Sequence, residues 1–218
     1  MPHQIPEGVP LFLTWNLKGA FPKDVADRLR AERERLSRQP PCRGETPRER
    51  RIRESKIVFL LADRYLDSAT QGPLDLKEPI AAKIVQDSIL FGATERYALY
   101  AWCVMANHVH VLFTPHWELR KITQGIKGYT AHEINALSGQ RGRHLWQDES
   151  FDHWARDEEE LMRIVYYIEN NPVAAGLCRR PEEWPWSSAR FRGVCRAGTI
   201  YVGQAFEPDK KRDEASIG

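Results

Sequence analysis

Apolar and polar positions alternate along several stretches of this chain and repeat at helical spacing along others. Leu11-Phe12-Leu13-Thr14-Trp15-Asn16-Leu17 alternates and is rich in β formers, which predicts a strand that ends at Gly19 and Pro22. Residues 23–38 read as a charged helix, broken by Gln39-Pro40-Pro41-Cys42-Arg43-Gly44. Thr46 can cap a second helix running to about Leu66, with Pro47 at its first position and Glu49 closing a capping box. Pro79 opens a third helix through Ile80, Ile84, Val85, Ile89 and Leu90. Two strands follow, Tyr97 to Met105 and Val109 to Thr114. Only Ala106-Asn107-His108 separates them, which predicts an antiparallel hairpin. A long helix spans about Trp117 to Leu137, with one apolar stripe and a face carrying Arg120, Lys121 and Lys127. Short extended pieces are expected at Leu145-Trp146-Gln147 and from Phe151 to Ala155. Asp157 caps a last helix that should stop at Asn171, because Pro172 cannot continue it. Mixed strands and helices around a central hairpin make a single α+β domain over residues 1–206, followed by a polar tail, 207–218.

Composition changes this picture little. The 218 residues are enough for one sizeable core, and the net charge is only +2. Its distribution is uneven. Lys23 to Lys56 holds twelve Lys/Arg against seven Asp/Glu, an excess of five, so residues 23–66 form an Arg-rich helical insertion. Such a region is either a pair of surface helices laced with salt bridges or a surface for a nucleic-acid backbone. The four cysteines, Cys42, Cys103, Cys178 and Cys195, are widely spaced without a CxxC pair. That argues against a zinc ribbon and fits a reducing, cytoplasmic compartment. Neither a signal peptide nor a membrane-spanning run is present.

Two short stretches carry candidate chemistry. In Asn107-His108-Val109-His110-Val111, strand alternation puts His108 and His110 on one face, about 7 Å apart at their α-carbons. Their imidazoles can converge on one metal ion, although two water-facing histidines would show the same spacing. The next position on that face is Leu112, not a third histidine. In Tyr166-Tyr167-Ile168-Glu169-Asn170-Asn171-Pro172, helical spacing puts Tyr167 and Asn171 on one face and Tyr166 and Asn170 on another. Taken alone, that stretch reads as packing and a helix stop before it reads as a site.

The histidine stretch resembles the histidine–hydrophobe–histidine motif of the HUH single-strand endonucleases and transposases. Tyr167-Ile168-Glu169-Asn170-Asn171-Pro172-Val173, with Ala175-Gly176-Leu177, resembles the tyrosine helix of one branch, the REP-associated tyrosine transposases, relatives of the IS200-like enzymes. Three more blocks resemble that branch in the same order: Leu119–Asn135, Trp146–His153 and Trp184–Ser188. Ala106 stands where the family has a proline. The resemblance implies a ferredoxin-like antiparallel sheet with helices on one face. It further implies Tyr167 as nucleophile, with a divalent metal, Mg2+ or Mn2+, on His108, His110 and Asn171. The reaction implied is cleavage and rejoining of single-stranded DNA at hairpin-forming palindromic repeats, through a 5′-phosphotyrosine.

Arg120, Lys121, Lys127, Arg141 and Arg143 are the expected phosphate contacts. Glu149 and His153 are expected either beside the site or as ordinary structural residues. The implied partner is single-stranded or hairpin DNA, met by a monomer or homodimer in the cytoplasm, at the nucleoid. Two rival readings are a domesticated protein that grips hairpins without cutting, and a metal-dependent hydrolase that activates water.

Overall fold

The computed structural model describes residues 8–69 and 72–192. Cys195 and the expected polar tail lie outside them. The chain runs through β1 (Leu11–Asn16), α1 (Lys23–Arg38), α2 (Pro47–Ser68), α3 (Pro79–Phe91), β2 (Tyr97–Val104), β3 (His108–Pro115), α4 (Leu119–Leu137), β4 (Phe151–Trp154) and α5 (Glu158–Ala174). Short 3-10 turns lie at Asp75–Lys77, Pro181–Glu183 and Ser188–Phe191. The strands form one antiparallel sheet in the order β2-β3-β1-β4, the ferredoxin-like arrangement.

The sheet is covered on both faces, not on the one face that the family resemblance suggested. Leu11, Leu13 and Trp15 of β1 and Val109, Val111 and Phe113 of β3 point to one side, where they pack with Val85 and Ile89 of α3 and Ile122 and Ile126 of α4. Phe12 and Leu112 point to the other, where Phe59 of α2 and Leu161, Ile164 and Ile168 of α5 meet them. Strand alternation thus divides the core into two layers. A fully buried side chain of this size contributes roughly 1.5–3 kcal/mol. The histidines face the α2/α5 side.

Local chemistry sets the element ends. Thr46 Oγ1 accepts from Glu49 N–H at 3.2 Å while Thr46 N–H donates to Glu49 Oε2 at 2.8 Å, completing the expected capping box. Arg50 of α2 donates to the carbonyls of Ser37 (2.6 Å) and Gln39 (2.7 Å). These are open acceptors at the end of α1, so the two helices are tied as a hairpin. The β2–β3 turn holds without the family's proline. Met105 N–H donates to His108 O at 2.9 Å, Leu17 N–H to Asn107 O at 2.8 Å and Leu76 N–H to Ala106 O at 3.1 Å.

Two features depart from plain periodicity. A register shift between Leu99 and Ala101 inserts Tyr100 as an extra residue in β2. Tyr100 and Ala101 then both face the α2/α5 layer. The second is α5, which does not stop at Asn171 but runs to Ala174 with Pro172 inside its last turn. Asn171 and Pro172 are both buried, and Ala175 N–H still reaches Asn171 O at 2.9 Å. Packing of this turn outweighs the missing proline donor.

Gly92, at the end of α3, lies under the Tyr97 ring. A Cβ placed there would sit 2.6 Å from ring atoms of Tyr97, whose hydroxyl donates to the Ile89 carbonyl. Gly92→Ala is therefore expected to destabilise the fold by about 1–3 kcal/mol, from overpacking. Chemical denaturation with an unchanged m-value would show it. Stability equal to that of the parent protein would contradict the close approach.

Candidate active site

His108 and His110 are both 0% exposed, which removes the water-facing alternative. Asn107 Nδ2 donates to the Leu66 carbonyl at 3.0 Å, so its Oδ1 faces His108 Nδ1 at 2.7 Å. An amide oxygen only accepts, so the proton of neutral His108 sits on Nδ1 and its Nε2 keeps a lone pair. His110 Nδ1 meets the Thr14 hydroxyl at 2.7 Å, across the Thr14–His110 pair of β1 and β3. That hydroxyl can donate or accept, so it supports either tautomer of His110. The two Nε2 atoms are 3.0 Å apart.

Two carboxylates from α2 approach this pair. Asp63 Oδ1 lies 3.4 Å from His110 Nε2 and 3.7 Å from His108 Nε2, and Asp67 Oδ1 lies 3.6 Å from His108 Nε2. These are not ion pairs. Burial pushes His108 down to about 3, helped by His110 and opposed by Asp63, and burial alone takes His110 to about 3. Both imidazoles are neutral at physiological pH, as metal ligands must be. Burial also raises the Asp63 carboxyl, against the favourable influence of His108. Burial pushes Asp67 up to about 8, with Asp63 adding repulsion.

From α5, the Tyr167 hydroxyl donates to Asp63 Oδ2, and Asn171 Nδ2 donates to the same oxygen at 3.3 Å. Burial raises the Tyr167 hydroxyl well above its ordinary range, and the neighbouring Asp63 raises it further. Phe12 and Phe59 lie against His110 and Tyr167 at ring distances of 5.7–6.4 Å and keep the site apolar at its margin.

Asp63 Oδ1, Asp67 Oδ1 and Asn171 Oδ1 are buried without a hydrogen-bond partner among the described residues. Such orphaned acceptors are rare, because each keeps its desolvation penalty. Here the two carboxylate oxygens lie beside the imidazole nitrogens, and Asn171 contacts Asp63. Asp63, His108 and His110 each offer a ligand atom within 4.8 Å of the others. Oxygen and imidazole donors so placed fit a hard or borderline divalent cation.

Asp63, Asp67, Thr14 and Asn107 were not singled out in the sequence. The one available signal was carboxylates four residues apart inside the apolar stripe of α2, at Val58, Phe59 and Leu66. Tyr166, by contrast, is 70% exposed.

The expected phosphate contacts divide. Arg120 and Arg141 are exposed without a partner among the described residues, and Lys121 is exposed 3.5 Å from Glu118. Lys127 Nζ donates to the Gln147 carbonyl at 3.0 Å. Arg143 bonds Asp75 Oδ1 at 2.5 Å and Asn135 Oδ1 at 3.2 Å. These two cations hold the segment between α4 and β4. Glu149 is exposed, and His153 turns to Glu160 at 2.9 Å rather than to the histidine pair.

Residues 85–171 match the family model described as transposase IS200 like. Over this segment the chain is similar to the IS200-like transposases. The transposase match begins in α3 and ends on Asn171, so it includes His108, His110 and Tyr167 and leaves out β1, α1 and α2. A solved structure of a REP-associated tyrosine transposase bound to a REP hairpin is similar over 95% of this chain and 96% of that one, with TM-score 0.52 and 16% identity. The two share a fold. A crystal structure of a candidate transposase from Deinococcus radiodurans aligns over 78% of this chain and 96% of that one, with TM-score 0.30 and 16% identity, too weak a likeness to carry weight. Curated proteins give no match. Among the described residues, no helix of this chain is long and apolar enough to cross a membrane.

Proposed function

We propose that this chain is a metal-dependent single-strand DNA endonuclease and strand-transfer enzyme acting at hairpin-forming repeats, with Tyr167 as nucleophile. One observation supports it above the others. The Tyr167 hydroxyl and both histidine Nε2 atoms converge on the carboxylate of Asp63 in one buried pocket. Tyr97, a packing tyrosine, is served by a neutral backbone carbonyl, whereas Tyr167 meets a carboxylate that also faces the histidine pair. The hairpin in the similar solved structure favours hairpin DNA as the substrate class.

His108, His110 and Asp63 would hold the cation, with Asn171 Oδ1 and Asp67 Oδ1 as further oxygen donors. Mg2+ or Mn2+ fits this mixed set. Such an ion supplies charge neutralisation at the phosphate and favours the phenolate form of a nearby tyrosine. Asn107 and Thr14 fix the imidazole rings from behind, as hydrogen-bonded supports of metal ligands do. Tyr167 Oη attacks phosphorus, the phenolic proton passes to Asp63 Oδ2, and the bond to the departing 3′-oxygen breaks, that oxygen taking up a proton from solvent. The product is a 5′-phosphotyrosine and a free 3′-hydroxyl. The phosphoester link retains the energy of the broken bond, so the reverse attack rejoins DNA without ATP. Exposed Arg120, Lys121 and Arg141 are suited to phosphate contacts.

The test is to trap the adduct. The full chain, incubated with Mn2+ and labelled hairpins bearing single-stranded flanks, should yield a DNA–protein species whose link maps to Tyr167 by peptide mass spectrometry. Tight hairpin binding without cleavage or adduct would instead make it a non-cutting hairpin binder.

A further inference from the structure

A cavity of about 670 Å3 opens directly beside the Tyr167 site, between β1, α1, α2 and the segment leading into β4. Its volume falls in the range of small-ligand pockets. Asp63 and Thr14 are among its lining residues, and each also touches His110, so one layer of side chains separates it from the histidine pair. Its walls differ in chemistry. On the α1 side stand Arg30 and Arg33, three residues apart and so on one helix face. On the other side stand Gln147 and Glu149, and Phe21 offers a half-buried ring between.

The arginines of α1 are not equivalent. Arg28, Arg30, Arg35 and Arg38 each lie within 3.5 Å of a carboxylate three or four residues away on the same helix. Arg33 has no such partner among the described residues, and it faces the cavity. A cation left unpaired at the mouth of a pocket suits an anionic ligand. A bare anion would be repelled by the carboxylates of Glu149 and Asp63 at the other walls. A purely apolar ligand would strand the charged rim. A nucleotide answers all three demands, with a phosphate for the guanidinium, a flat face for the phenyl ring and N–H donors for the acceptors.

We propose that this cavity holds one nucleotide of the single strand that leads to Tyr167, with its phosphate on Arg33, its base against Phe21 and its exocyclic amino group on Gln147 or Glu149. The proposal rests on the strand-cleaving reading above and gives the Arg-rich helix α1 a role in it. It also favours cytosine or adenine over thymine, which has no amino group to offer.

Fluorescence anisotropy with the full chain, Mn2+ and labelled oligodeoxycytidine, oligodeoxyadenosine and oligodeoxythymidine of equal length tests it. The thymidine strand should bind about fivefold or more weakly than the better of the other two, the loss expected for one good base contact. Arg33→Ala should weaken all three about tenfold, the loss of one charge-assisted hydrogen bond. It should also make the slope of log K against log salt shallower by about 0.7, as for one single-strand phosphate contact. Glu149→Gln with Gln147→Ala should shrink the base preference. Arg28→Ala, outside the cavity, should bind like the parent. Unchanged affinities in Arg33→Ala and Phe21→Ala would overturn the pocket. If the parent protein also forms the Tyr167 adduct, that failure belongs to the pocket alone. No binding and no adduct in the parent protein would overturn both.

Discussion

Tyr167→Phe is expected to abolish strand cleavage and the covalent DNA adduct together, while Tyr166→Phe leaves both near the parent level. The change removes one oxygen and keeps the ring that packs near Phe12 and Phe59. Loss of a nucleophile typically costs several orders of magnitude in rate. Tyr166 is exposed and turned away, so its hydroxyl has no part in the chemistry. Cleavage assays on a hairpin with labelled flanks separate the outcomes. Cleavage that survives Tyr167→Phe would mean that activated water is the nucleophile, and the tyrosine assignment would fall. The same substitution leaves Asp63 Oδ2 with Asn171 as its remaining side-chain donor. A stability loss of about 1–3 kcal/mol is expected beside the lost activity.

The second large effect concerns the cation. Mn2+ should raise the melting temperature of the protein, and His108→Ala or His110→Ala should erase that rise together with activity. At a hundredfold excess over Kd the stabilisation is about 2.7 kcal/mol. Its pH dependence follows from the buried groups. Each histidine has a folded value near 3, below its unfolded value near 6.5, so the metal-free protein loses stability as pH falls through that window. Asp67 behaves oppositely. Its folded value near 8 exceeds an unfolded value near 4, so the stability tied to its protonated form is lost as pH rises between them. The raised Asp63 adds to that trend. Above about pH 6.5 the histidines no longer contribute a slope. Metal-free stability should therefore decline from there to about pH 8, by at most about 1.4 kcal/mol per pH unit from Asp67. Asp67→Asn should flatten the decline. Because the ligands bind metal deprotonated, the Mn2+ shift should be larger at pH 8 than at pH 6. Equal shifts at both values, or a shift that persists without His108, would count against this site.

Much of the scaffold was legible in the sequence because its signals are local. The capping box at Thr46 and Glu49 involves residues three apart, and α1 occupies the expected residues 23–38. Strand periodicity placed His108 and His110 on one face, and helical spacing placed Tyr167 with Asn171. The rest depends on contacts distant in sequence. Asp63 and Asp67 read as ordinary charges on a helix until α2 lies across the sheet and faces β3. Thr14 becomes a histidine partner only through the β1–β3 register. The helix persists through Pro172 because its last turn is buried, and the extra Tyr100 in β2 is settled by pairing with β3. Periodicity reads neighbours along the chain; this site is completed by neighbours across it.

The strand order β2-β3-β1-β4 bears on how the protein is made. β1 leaves the ribosome before the other three described strands, yet it occupies an inner place, with Leu11 paired to both Phe113 and Trp154. Its backbone donors and acceptors must wait through the synthesis of three helices and the β2–β3 hairpin before a partner exists. During that interval α1 and α2 can close on each other, since the Arg50 clamp joins only their own residues. A nascent chain would thus carry a finished helical hairpin beside an unmatched strand. The histidine pocket would come into being as a late event of translation, when β3 and α5 finally meet the waiting α2.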